Sequence, residues 1–265
     1  MSVLGVIPAR LKSTRLPRKV LLAETGKPLI QHVYEGACKA KLIDRVVIAT
    51  DDEEVVRACR SFGAQAVMTS PDCACGTDRV AEAARHFPES TLILNVQGDE
   101  PEMDGVALDK LVGAMLKPGC NALMGTISTP WPEGVALETP GFVKVVTDRE
   151  GYALYFSRSV IPHVRDAAAG NLAAQALTGK AGAPVASLYR KHVGLYAYRR
   201  DFLLEFATWK PSPLELAESL EQLRAIEAGV KILVAHAEYV GQEVNTAEDY
   251  AGFVAREKAR QAKRR

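Results

Sequence analysis

The sequence lacks both an excess of charge of one sign and a long apolar run. Its 265 residues carry 33 Lys and Arg against 32 Asp and Glu, a formal net charge of +1. Near-neutrality argues against general nucleic-acid binding, which depends on an overall basic excess. No apolar stretch approaches the roughly 18–20 residues of a membrane span, and no charged n-region precedes the first apolar run. We therefore expect a cytoplasmic protein with no nucleic-acid or membrane partner.

The sequence also lacks a disulfide or zinc framework. Its five cysteines are odd in number and show no C-x-x-C spacing, which favours reduced thiols. It has no G-x-G-x-x-G after the first strand, no G-x-x-x-x-G-K-[ST], no G-x-S-x-G and no H-E-x-x-H. Neither a Rossmann dinucleotide site nor a P-loop is indicated, so any phosphate chemistry must use another design.

What the sequence does contain is an alternation of strand-like and helix-like segments. This alternation is typical of an α/β protein with a mainly parallel sheet and helices on both faces. With 48% hydrophobic residues, the chain can bury one large core, with room for a small appended lobe. Strands are predicted at residues 3–8, 45–50, 66–68, 91–96, 122–129 and 192–198.

The remaining pattern predicts a hairpin, one loop and several helices. Apolar runs at residues 143–147 and 152–156 surround a turn-rich tetrapeptide, which is typical of a hairpin. Small and polar residues dominate 166–184, which predicts an exposed, mobile loop. Pro, Gly and capping-box signals delimit the helices. The first predicted helix begins at Pro28, the second covers 52–62, the third runs from 76–78 to before Pro88, and a long one covers 213–228. The last begins at Thr246, and its basic end at 256–265 is expected to be solvated.

A concentrated basic loop follows the first predicted strand. Its five cations precede the first acidic residue, Glu24; they are Arg10, Lys12, Arg15, Arg18 and Lys19. Ligands of open α/β sheets bind outside the carboxyl ends of strands, where a positive field attracts a polyanion. The alternative is a solvated surface loop, because charge runs are usually solvated. The position of the loop favours a triphosphate site.

An acidic loop follows the fourth predicted strand. Asp99 stands in N-V-Q-G-D-E-P, residues 95–101, and Mg²⁺ prefers one or two carboxylates together with phosphate oxygens. A simple turn is the alternative, because Gly, Asp and Pro are common turn residues. Gly76, at a predicted helix start, permits close backbone approach by an anion. Taken together, these features favour a nucleotide site that uses a metal.

Seven motifs occur in the order and spacing of one known family. They are VIPAR (6–10), STRLP (13–17) with Lys19, GTDR (76–79), NVQGDEP (95–101), GYALYFSR (151–158), KHVGLY (191–196) and PSPLE (211–215) through LEQLR (220–224). From residue 3 to about residue 253, the sequence resembles the 3-deoxy-manno-octulosonate cytidylyltransferases (CMP-Kdo synthetases). The segments 131–140 and 166–190 look foreign to that family.

The resemblance implies a fold and an activity. The fold is a nucleotide-diphospho-sugar-transferase-like three-layer α/β sandwich with a mainly parallel mixed sheet. Residues 1–265 would form a single nucleotidyltransferase domain, with a small hairpin-bearing lobe for dimerisation and sugar binding at about 142–200. The activity is transfer of CMP from CTP to the anomeric hydroxyl of Kdo, with pyrophosphate release, Mg²⁺ as cofactor and a homodimer as the working form, for lipopolysaccharide biosynthesis.

The resemblance also implies roles for matching residues. Arg10, Arg15 and Lys19 would grip the triphosphate and, with Asp99 as a Mg²⁺ ligand, form the catalytic set. Backbone around three positions would receive the cytidine: Pro8, Ala9 and Gly76. Seven side chains would line the sugar-acid pocket: Arg79, Gln97, Arg158, His192, Tyr196, Glu215 and Gln222.

The residues themselves leave other interpretations open. Tyr196 suits a sheet core or a dimer interface, the commoner place for a strand aromatic. His192 suits a hydrogen bond to a neighbouring carbonyl. Glu218 is interpreted as a helix-surface charge, and Glu215, near a helix start, is favourable there as well as in a pocket.

Three positions depart from the family pattern. Cys75 stands where Ser is usual, with little expected effect on a contact made by the backbone, and the other two change the charge of the site. The family usually has Asp before the Thr that starts the last helix, as a second Mg²⁺ ligand, and this chain has Asn245. An amide oxygen still coordinates Mg²⁺ but removes one negative charge, so we expect weaker Mg²⁺ affinity rather than lost activity. Arg18 stands where the family commonly has Gly, which adds charge to the basic loop.

Two alternatives to a Kdo enzyme remain open. One is a cytidylyltransferase for a related acid sugar, such as 8-amino-Kdo or a sialic acid. The sialic-acid enzymes typically follow Pro-Ala-Arg with a Gly-rich run, unlike residues 11–15 here. The other is a non-catalytic nucleotide-binding module that lost turnover through Asn245. Retention of Arg15, Lys19 and Asp99 argues against that module.

Overall fold

The computed structural model describes residues 2–13, 15–164, 188–239 and 241–263. The chain forms two compact units. The first comprises Met1–Gly113, Leu195–Ala207 and Tyr239–Arg265, and the second comprises Ala114–Gly194 and Thr208–Glu238. The loop predicted at 166–184 lies outside the described residues. Within those residues, no helix has the length and apolar character of a membrane span.

The described residues form nine strands and eight α-helices. The strands are β1 (Ser2–Pro8), β2 (Arg45–Thr50), β3 (Gln65–Met68), β4 (Ser90–Asn95), β5 (Met124–Pro130), β6 (Lys144–Thr147), β7 (Ala153–Ser157), β8 (Arg190–Arg199) and β9 (Ile232–His236). The helices are α1 (Leu29–Ala37), α2 (Glu53–Ser61), α3 (Gly76–Ala84), α4 (Gly105–Leu116), α5 (Arg200–Phe206), α6 (Pro213–Glu218), α7 (Gln222–Glu227) and α8 (Ala247–Lys263).

The first unit is organised around parallel strands in the order β3-β2-β1-β4. The carboxyl-terminal part of β8 pairs antiparallel with β4, with Tyr196 opposite Asn95. Residues 3–7 of β1 are buried on both faces, as expected for a central parallel strand covered on both sides. The α/β prediction with a mainly parallel, mixed sheet is therefore confirmed.

Local capping signals begin the helices as predicted. The Asp52 side chain accepts a hydrogen bond from the Glu54 amide at the start of α2 (2.7 Å). At the start of α8, the Asp249 amide donates to Thr246 Oγ1 and Asp249 Oδ2 accepts from the Thr246 amide (3.2 and 2.9 Å). These bonds satisfy amides that the first helical turn leaves without partners.

The second unit contains the predicted hairpin. β6 and β7 pair antiparallel, and Asp148 Oδ1 in their turn accepts hydrogen bonds from the Glu150 and Tyr152 amides. Gly151 has a φ of 86°, which glycine adopts without steric cost. β5 and β9 form a parallel pair in the same unit. The hairpin prediction is confirmed, and its proposed role in dimerisation stays a prediction.

The single helix predicted over 213–228 is wrong. The chain forms α6 and α7, separated at Ser219, which has a left-handed φ of 52°. The Arg158 guanidinium donates to the carbonyls of Glu218 and Ser219 (2.7 and 3.3 Å), and Leu220 is buried. A contact distant in sequence thus takes up carbonyls that a continuous helix would use internally.

Glu218 is not the free surface charge that the sequence suggested. Its carboxylate accepts hydrogen bonds from Ser157 Oγ (2.6 Å) and from the Arg158 amide (3.0 Å). It therefore fixes the end of β7 against the end of α6.

The predicted solvated end of the last helix is also partly wrong. Arg256 and Arg260 both form ion pairs with Glu102, at 2.7 and 2.6 Å. The Glu102 side chain is only 7% exposed. These pairs attach α8 to the segment that follows Asp99.

Replacing Glu102 by Gln is expected to lower the free energy of unfolding by about 1–2 kcal/mol. The change removes the charge shared by two guanidinium groups, and their partial exposure keeps the cost below that of a fully buried pair. Urea unfolding followed by circular dichroism measures the effect. Glu89→Gln removes the same charge at an exposed acid and should change stability by less than about 0.5 kcal/mol. Equal losses in both variants would contradict this account.

Candidate active site

A cleft of about 220 Å³ in the first unit gathers residues from the carboxyl ends of β1 and β4. Nine of the predicted site residues line it: Pro8, Arg10, Arg15, Lys19, Gly76, Arg79, Gln97, Asp99 and Asn245. The basic loop and the acidic loop, which are 80 residues apart at Lys19 and Asp99, therefore belong to one site. This is the arrangement expected where parallel strands end at a common edge.

The two loops approach each other through Gly98. A Cβ atom at this position would overlap the carbonyl oxygen of Pro8, so only glycine allows the observed distance. The adjacent Val96 amide donates to the Val6 carbonyl (2.9 Å). The close approach of the two loops at the cleft thus requires glycine at position 98.

Lys19 is the centre of the polar contacts in the cleft. Its ammonium group lies 3.0 Å from Asp99 Oδ2, 2.8 Å from the Val244 carbonyl oxygen and 3.5 Å from Asn245 Oδ1. The Lys19 side chain is only 13% exposed. Arg15 Nη2 also donates to Asn245 Oδ1 (3.1 Å). Lys19 therefore contacts oxygen atoms of both predicted metal ligands, Asp99 and Asn245, and Arg15 contacts that of Asn245.

The donor set fits a magnesium ion. Asp99 supplies a carboxylate oxygen and Asn245 an amide oxygen, and both contact the same ammonium group. Mg²⁺ prefers such oxygen ligands and is commonly held by one or two carboxylates plus phosphate oxygens. The described part of the chain has no group of three or more His, Cys, Asp or Glu that could hold a metal ion.

Arg79 lines the cleft, but its guanidinium group contacts side chains of the first unit. It is 4% exposed, and its guanidinium contacts Thr69 Oγ1 (2.6 Å) and Asp51 Oδ2 (3.3 Å). Its role toward the sugar acid stays a prediction.

Two further predicted residues of the first unit are not among those lining the cleft. Ala9 is buried, and its amide donates to the Ala49 carbonyl (2.8 Å). Tyr196 lies on β8, and its ring centroid is 6.0 Å from that of the buried Tyr198. Tyr196 itself is only half-buried, and its place in the sugar pocket stays a prediction.

The predicted sugar residues of the second unit have close partners within that unit. Arg158 donates to the carbonyl oxygens of Glu218 (2.7 Å), Pro140 (3.0 Å) and Ser219 (3.3 Å). Arg158 must exchange some of these bonds before it can bind a carboxylate, so its sugar-binding role stays a prediction.

Glu215 and Gln222 belong to the two short helices of the second unit. Glu215 receives two hydrogen bonds from the Arg224 guanidinium (2.6 and 2.7 Å) and one from the Ser212 amide (3.1 Å). Burial alone would raise the pKa of Glu215, but the Arg224 and Ser212 bonds outweigh it and lower the pKa. Gln222 is 2% exposed. The position of Glu215 at a helix start is confirmed by its capping box with Ser212.

His192 is buried in the second unit. Its Nε2 atom is 2.9 Å from Thr126 Oγ1, and its ring centroid is 4.9 Å from that of Phe156. Burial, followed by the nearby charge of Lys191, lowers the pKa of His192 to about 3. The side chain is therefore a neutral imidazole at neutral pH.

The free energy of unfolding is expected to decrease on acidification because of His192. Its pKa is about 3 in the folded chain and 6.5 ordinarily, so between these values the unfolded chain binds a proton that the folded chain does not. The contribution of the neutral His192 to the free energy of unfolding is complete above pH 6.5 and is lost as the pH decreases toward 3. Urea unfolding at about pH 7.5 and about pH 5 should show a smaller loss in His192→Gln than in the parent. His86→Gln controls for removal of an exposed imidazole, and equal pH responses in the two variants would contradict the assignment.

The sequence did not reveal some of the contacts made beside the cleft. The Tyr239 hydroxyl donates to Glu100 Oε2 (2.6 Å) in the buried interior, and burial followed by the Glu100 charge raises the pKa of Tyr239. The adjacency of Glu100 to Asp99 was the available signal. Val244 contributes through its backbone carbonyl, which leaves no mark in the sequence.

Arg18 takes a left-handed backbone conformation, which agrees with the Gly that the sequence resemblance leads us to expect at this position. Its φ is 56°, in the left-handed region that favours glycine. Its guanidinium pairs with Glu54, and both side chains are substantially exposed. The extra cation therefore contacts the start of α2.

A cleft at the carboxyl edge of parallel strands is the place where open α/β proteins bind their ligands, and this cleft is lined by basic side chains. The sequence matches the family model described as "Cytidylyltransferase" over residues 4–232. The 3-deoxy-manno-octulosonate cytidylyltransferase of Geotalea daltonii is 45% identical over 249 residues, 94% of this chain and 95% of that protein. The protein of the same name from Synechococcus elongatus is 46% identical over 247 residues, 93% and 94% of the two chains.

Solved structures agree with these relatives. A CMP:2-keto-3-deoxy-manno-octonic acid synthetase complexed with CTP matches with a TM-score of 0.86 and 38% identity, covering 98% of this chain and 100% of that chain. A cytidylyltransferase from Leptospira borgpetersenii, at 16% identity and a TM-score of 0.61, shares the fold alone. The chain belongs to the 3-deoxy-manno-octulosonate cytidylyltransferase family.

Proposed function

We propose that the chain transfers CMP from CTP to the anomeric hydroxyl of Kdo and releases pyrophosphate. The observation that carries this proposal is the cleft in which Arg15 and Lys19 meet the oxygens of Asp99 and Asn245. Family membership supplies the nucleotide and the acceptor. The cleft supplies the groups that such a transfer needs.

The transfer depends mainly on alignment and charge neutralisation. The sugar hydroxyl attacks the α-phosphorus in line, a new oxygen–phosphorus bond forms, and the bond from the α-phosphorus to the bridging oxygen of pyrophosphate breaks. The hydroxyl proton passes to water as the new bond forms. Arg10, Arg15 and Lys19 line the cleft and would neutralise charge on the triphosphate and on the leaving pyrophosphate.

Lys19 would exchange its partners when the triphosphate binds. In the structure, its ammonium group pairs with the Asp99 carboxylate and contacts two uncharged oxygens, those of the Val244 carbonyl and the Asn245 side chain. Phosphate oxygens entering the cleft would compete for the same ammonium group. Asp99 and Asn245 would then be available as ligands for a cation.

We infer that the reaction depends on Mg²⁺ held by Asp99 and Asn245. The bound ion would neutralise phosphate charge and lower the pKa of the acceptor hydroxyl. Asp99 is held in place for this role because its own carbonyl oxygen accepts a hydrogen bond from the Val244 amide (2.8 Å). This bond keeps Asp99 beside Asn245.

Replacing Asn245 by Asp is expected to lower the Mg²⁺ concentration for half-maximal activity several-fold. The change adds a negative charge beside Asp99, and a carboxylate is the stronger magnesium ligand. Initial rates across a Mg²⁺ titration at fixed ionic strength measure the shift. An unchanged or poorer metal dependence would contradict the metal role of Asn245.

We also propose that the protein works in the cytoplasm as a homodimer that supplies lipopolysaccharide synthesis. None of the five cysteines, all of which lie in the described part of the chain, forms a disulfide, as is usual in reducing compartments. The second unit exposes large apolar side chains, with Leu154 at 59% and Leu216 at 68% exposure, which suits an interface. Light scattering after size exclusion should give twice the chain mass of 28.7 kDa, and a monomer would contradict the dimer.

A coupled pyrophosphate assay tests the activity and separates it from its alternatives. Release from CTP is expected with Kdo and not without an acceptor. Faster release with 8-amino-Kdo or a sialic acid would assign a related acid sugar instead. Binding of CTP with no release on any of these acceptors would favour the nucleotide-binding module. Parallel reactions with UTP measure the base preference.

A further inference from the structure

Asn245 is held from two directions by neighbouring acids. Its backbone amide donates to Asp249 Oδ2 (2.9 Å) at the start of α8. Its side-chain Nδ2 donates to Glu243 Oε2 (2.9 Å), two residues earlier in the chain. Glu243 is exposed and was not singled out by the sequence patterns. The backbone bond fixes where Asn245 sits, and the side-chain bond fixes which way its amide faces.

The orientation of the Asn245 side-chain amide decides whether its oxygen or its nitrogen faces the cleft. A side-chain amide has a donor on one side and an acceptor on the other. With Nδ2 directed to the Glu243 carboxylate, Oδ1 faces Arg15 Nη2 (3.1 Å) and Lys19 Nζ (3.5 Å). The reversed amide would set its oxygen against a carboxylate and its N–H groups against two cations. Glu243 and the two cations therefore select the same orientation.

The Glu243 carboxylate also bears on the charge of the cleft. An Asn at position 245 carries no negative charge, and Glu243 places one a single hydrogen bond away. Because Glu243 is exposed, solvent and salt weaken its field in the cleft. A moderate effect on cation binding is therefore expected, rather than the full effect of a direct ligand.

We propose that Glu243 is a positioning residue for the cleft. It holds the Asn245 side chain with Oδ1 directed to the cation-binding side, and it returns part of the negative charge that Asn245 lacks. The inference rests on the proposed function, because a cation held by Asp99 and Asn245 is what Glu243 serves. It adds a residue that acts through Asn245 and touches neither nucleotide nor sugar.

Manganese binding by the full chain, with CTP present at one fixed concentration and no Kdo, tests this role without turnover. CTP is included because its phosphate oxygens compete for the Lys19 ammonium group that otherwise contacts Asp99 and Asn245. Free Mn²⁺ is measured by electron paramagnetic resonance for the parent, Glu243→Ala and Glu243→Gln at fixed ionic strength. Glu243→Ala should weaken Mn²⁺ binding by about threefold to tenfold, at or below the lower end for residues that orient a metal ligand. Glu243→Gln should recover part of the loss, because its amide oxygen accepts the same bond from Asn245.

The matched control is Glu248→Ala. Glu248 is an exposed acid in the first turn of α8, so its loss removes the same charge three residues from Asn245. Its Mn²⁺ binding should stay within about twofold of the parent, as screened surface charges predict. Equal binding by Glu243→Ala and Glu248→Ala would overturn the proposal. Equal losses in Glu243→Ala and Glu243→Gln would overturn the positioning role.

Pyrophosphate release by the parent with Kdo is measured beside the binding series. Release together with identical Mn²⁺ binding in Glu243→Ala and Glu248→Ala would leave the proposed function standing and remove the role of Glu243. No release, together with the expected order of Mn²⁺ binding, would remove the proposed function and keep Glu243 as the residue that orients Asn245.

Discussion

Replacing Lys19 by Met should lower kcat/KM for CTP by about 10²–10³-fold, the usual cost of one preorganised group that stabilises developing charge. The Lys19 ammonium group contacts Asp99, Asn245 and the Val244 carbonyl. Its side chain is 13% exposed, so solvent cannot readily take its place. The loss should fall on both kcat and KM, because the cation meets the triphosphate in the ground state and the leaving pyrophosphate in the transition state.

Lys12→Met is the matched control for this prediction. Lys12 is an exposed cation of the same loop and does not line the cleft. It should change kcat/KM by no more than about threefold, through long-range charge alone. Circular dichroism melting establishes that both variants stay folded. Similar losses in both would mean that the loop acts through its overall field and not through a Lys19 contact.

Replacing Gly98 by Ala should lower the free energy of unfolding by about 1–3 kcal/mol, the cost of an added methyl group in a filled space. The new Cβ atom would overlap the Pro8 carbonyl oxygen, and backbone rather than a flexible side chain must move. Pro8 and Asp99 both line the cleft, so this movement displaces the groups for which we propose catalytic roles. A further loss of about 10²-fold in kcat/KM is expected from misplacement on the order of 1 Å.

Gly113→Ala is the control for the stability effect. A Cβ atom at Gly113 would meet Leu42 Cδ1 at 3.7 Å, an ordinary contact, and alanine favours the helix by about 1 kcal/mol. Urea unfolding should therefore show a loss for Gly98→Ala and none for Gly113→Ala. Unchanged stability and activity in Gly98→Ala would mean that the two loops can separate without cost.

The parts of the fold predicted correctly rest on short-range signals. Apolar runs gave β1 and β4, and capping residues such as Asp52 and Thr246 gave helix starts. These signals depend on residues a few positions apart, so the sequence displays them directly. The basic loop and Asp99 were joined into one site because strands of a parallel sheet end at the same edge.

The errors lie where distant residues override a local pattern. The periodicity of 213–228 continues through Ser219, but Arg158 takes up the carbonyls there and the helix divides. Arg256 and Arg260 look like solvent-facing cations until Glu102 is placed beside them. Backbone groups such as the Val244 carbonyl are beyond sequence reasoning, because every residue carries one.

Phosphorus NMR of CTP incubated with Mg²⁺ and Kdo tests the central claim most directly. CTP signals are expected to give way to equimolar pyrophosphate and CMP-Kdo, so that the pyrophosphate signal has twice the integral of the phosphodiester signal. No change is expected without Kdo. Unchanged CTP in the presence of Kdo, with CTP binding retained, would contradict the claim.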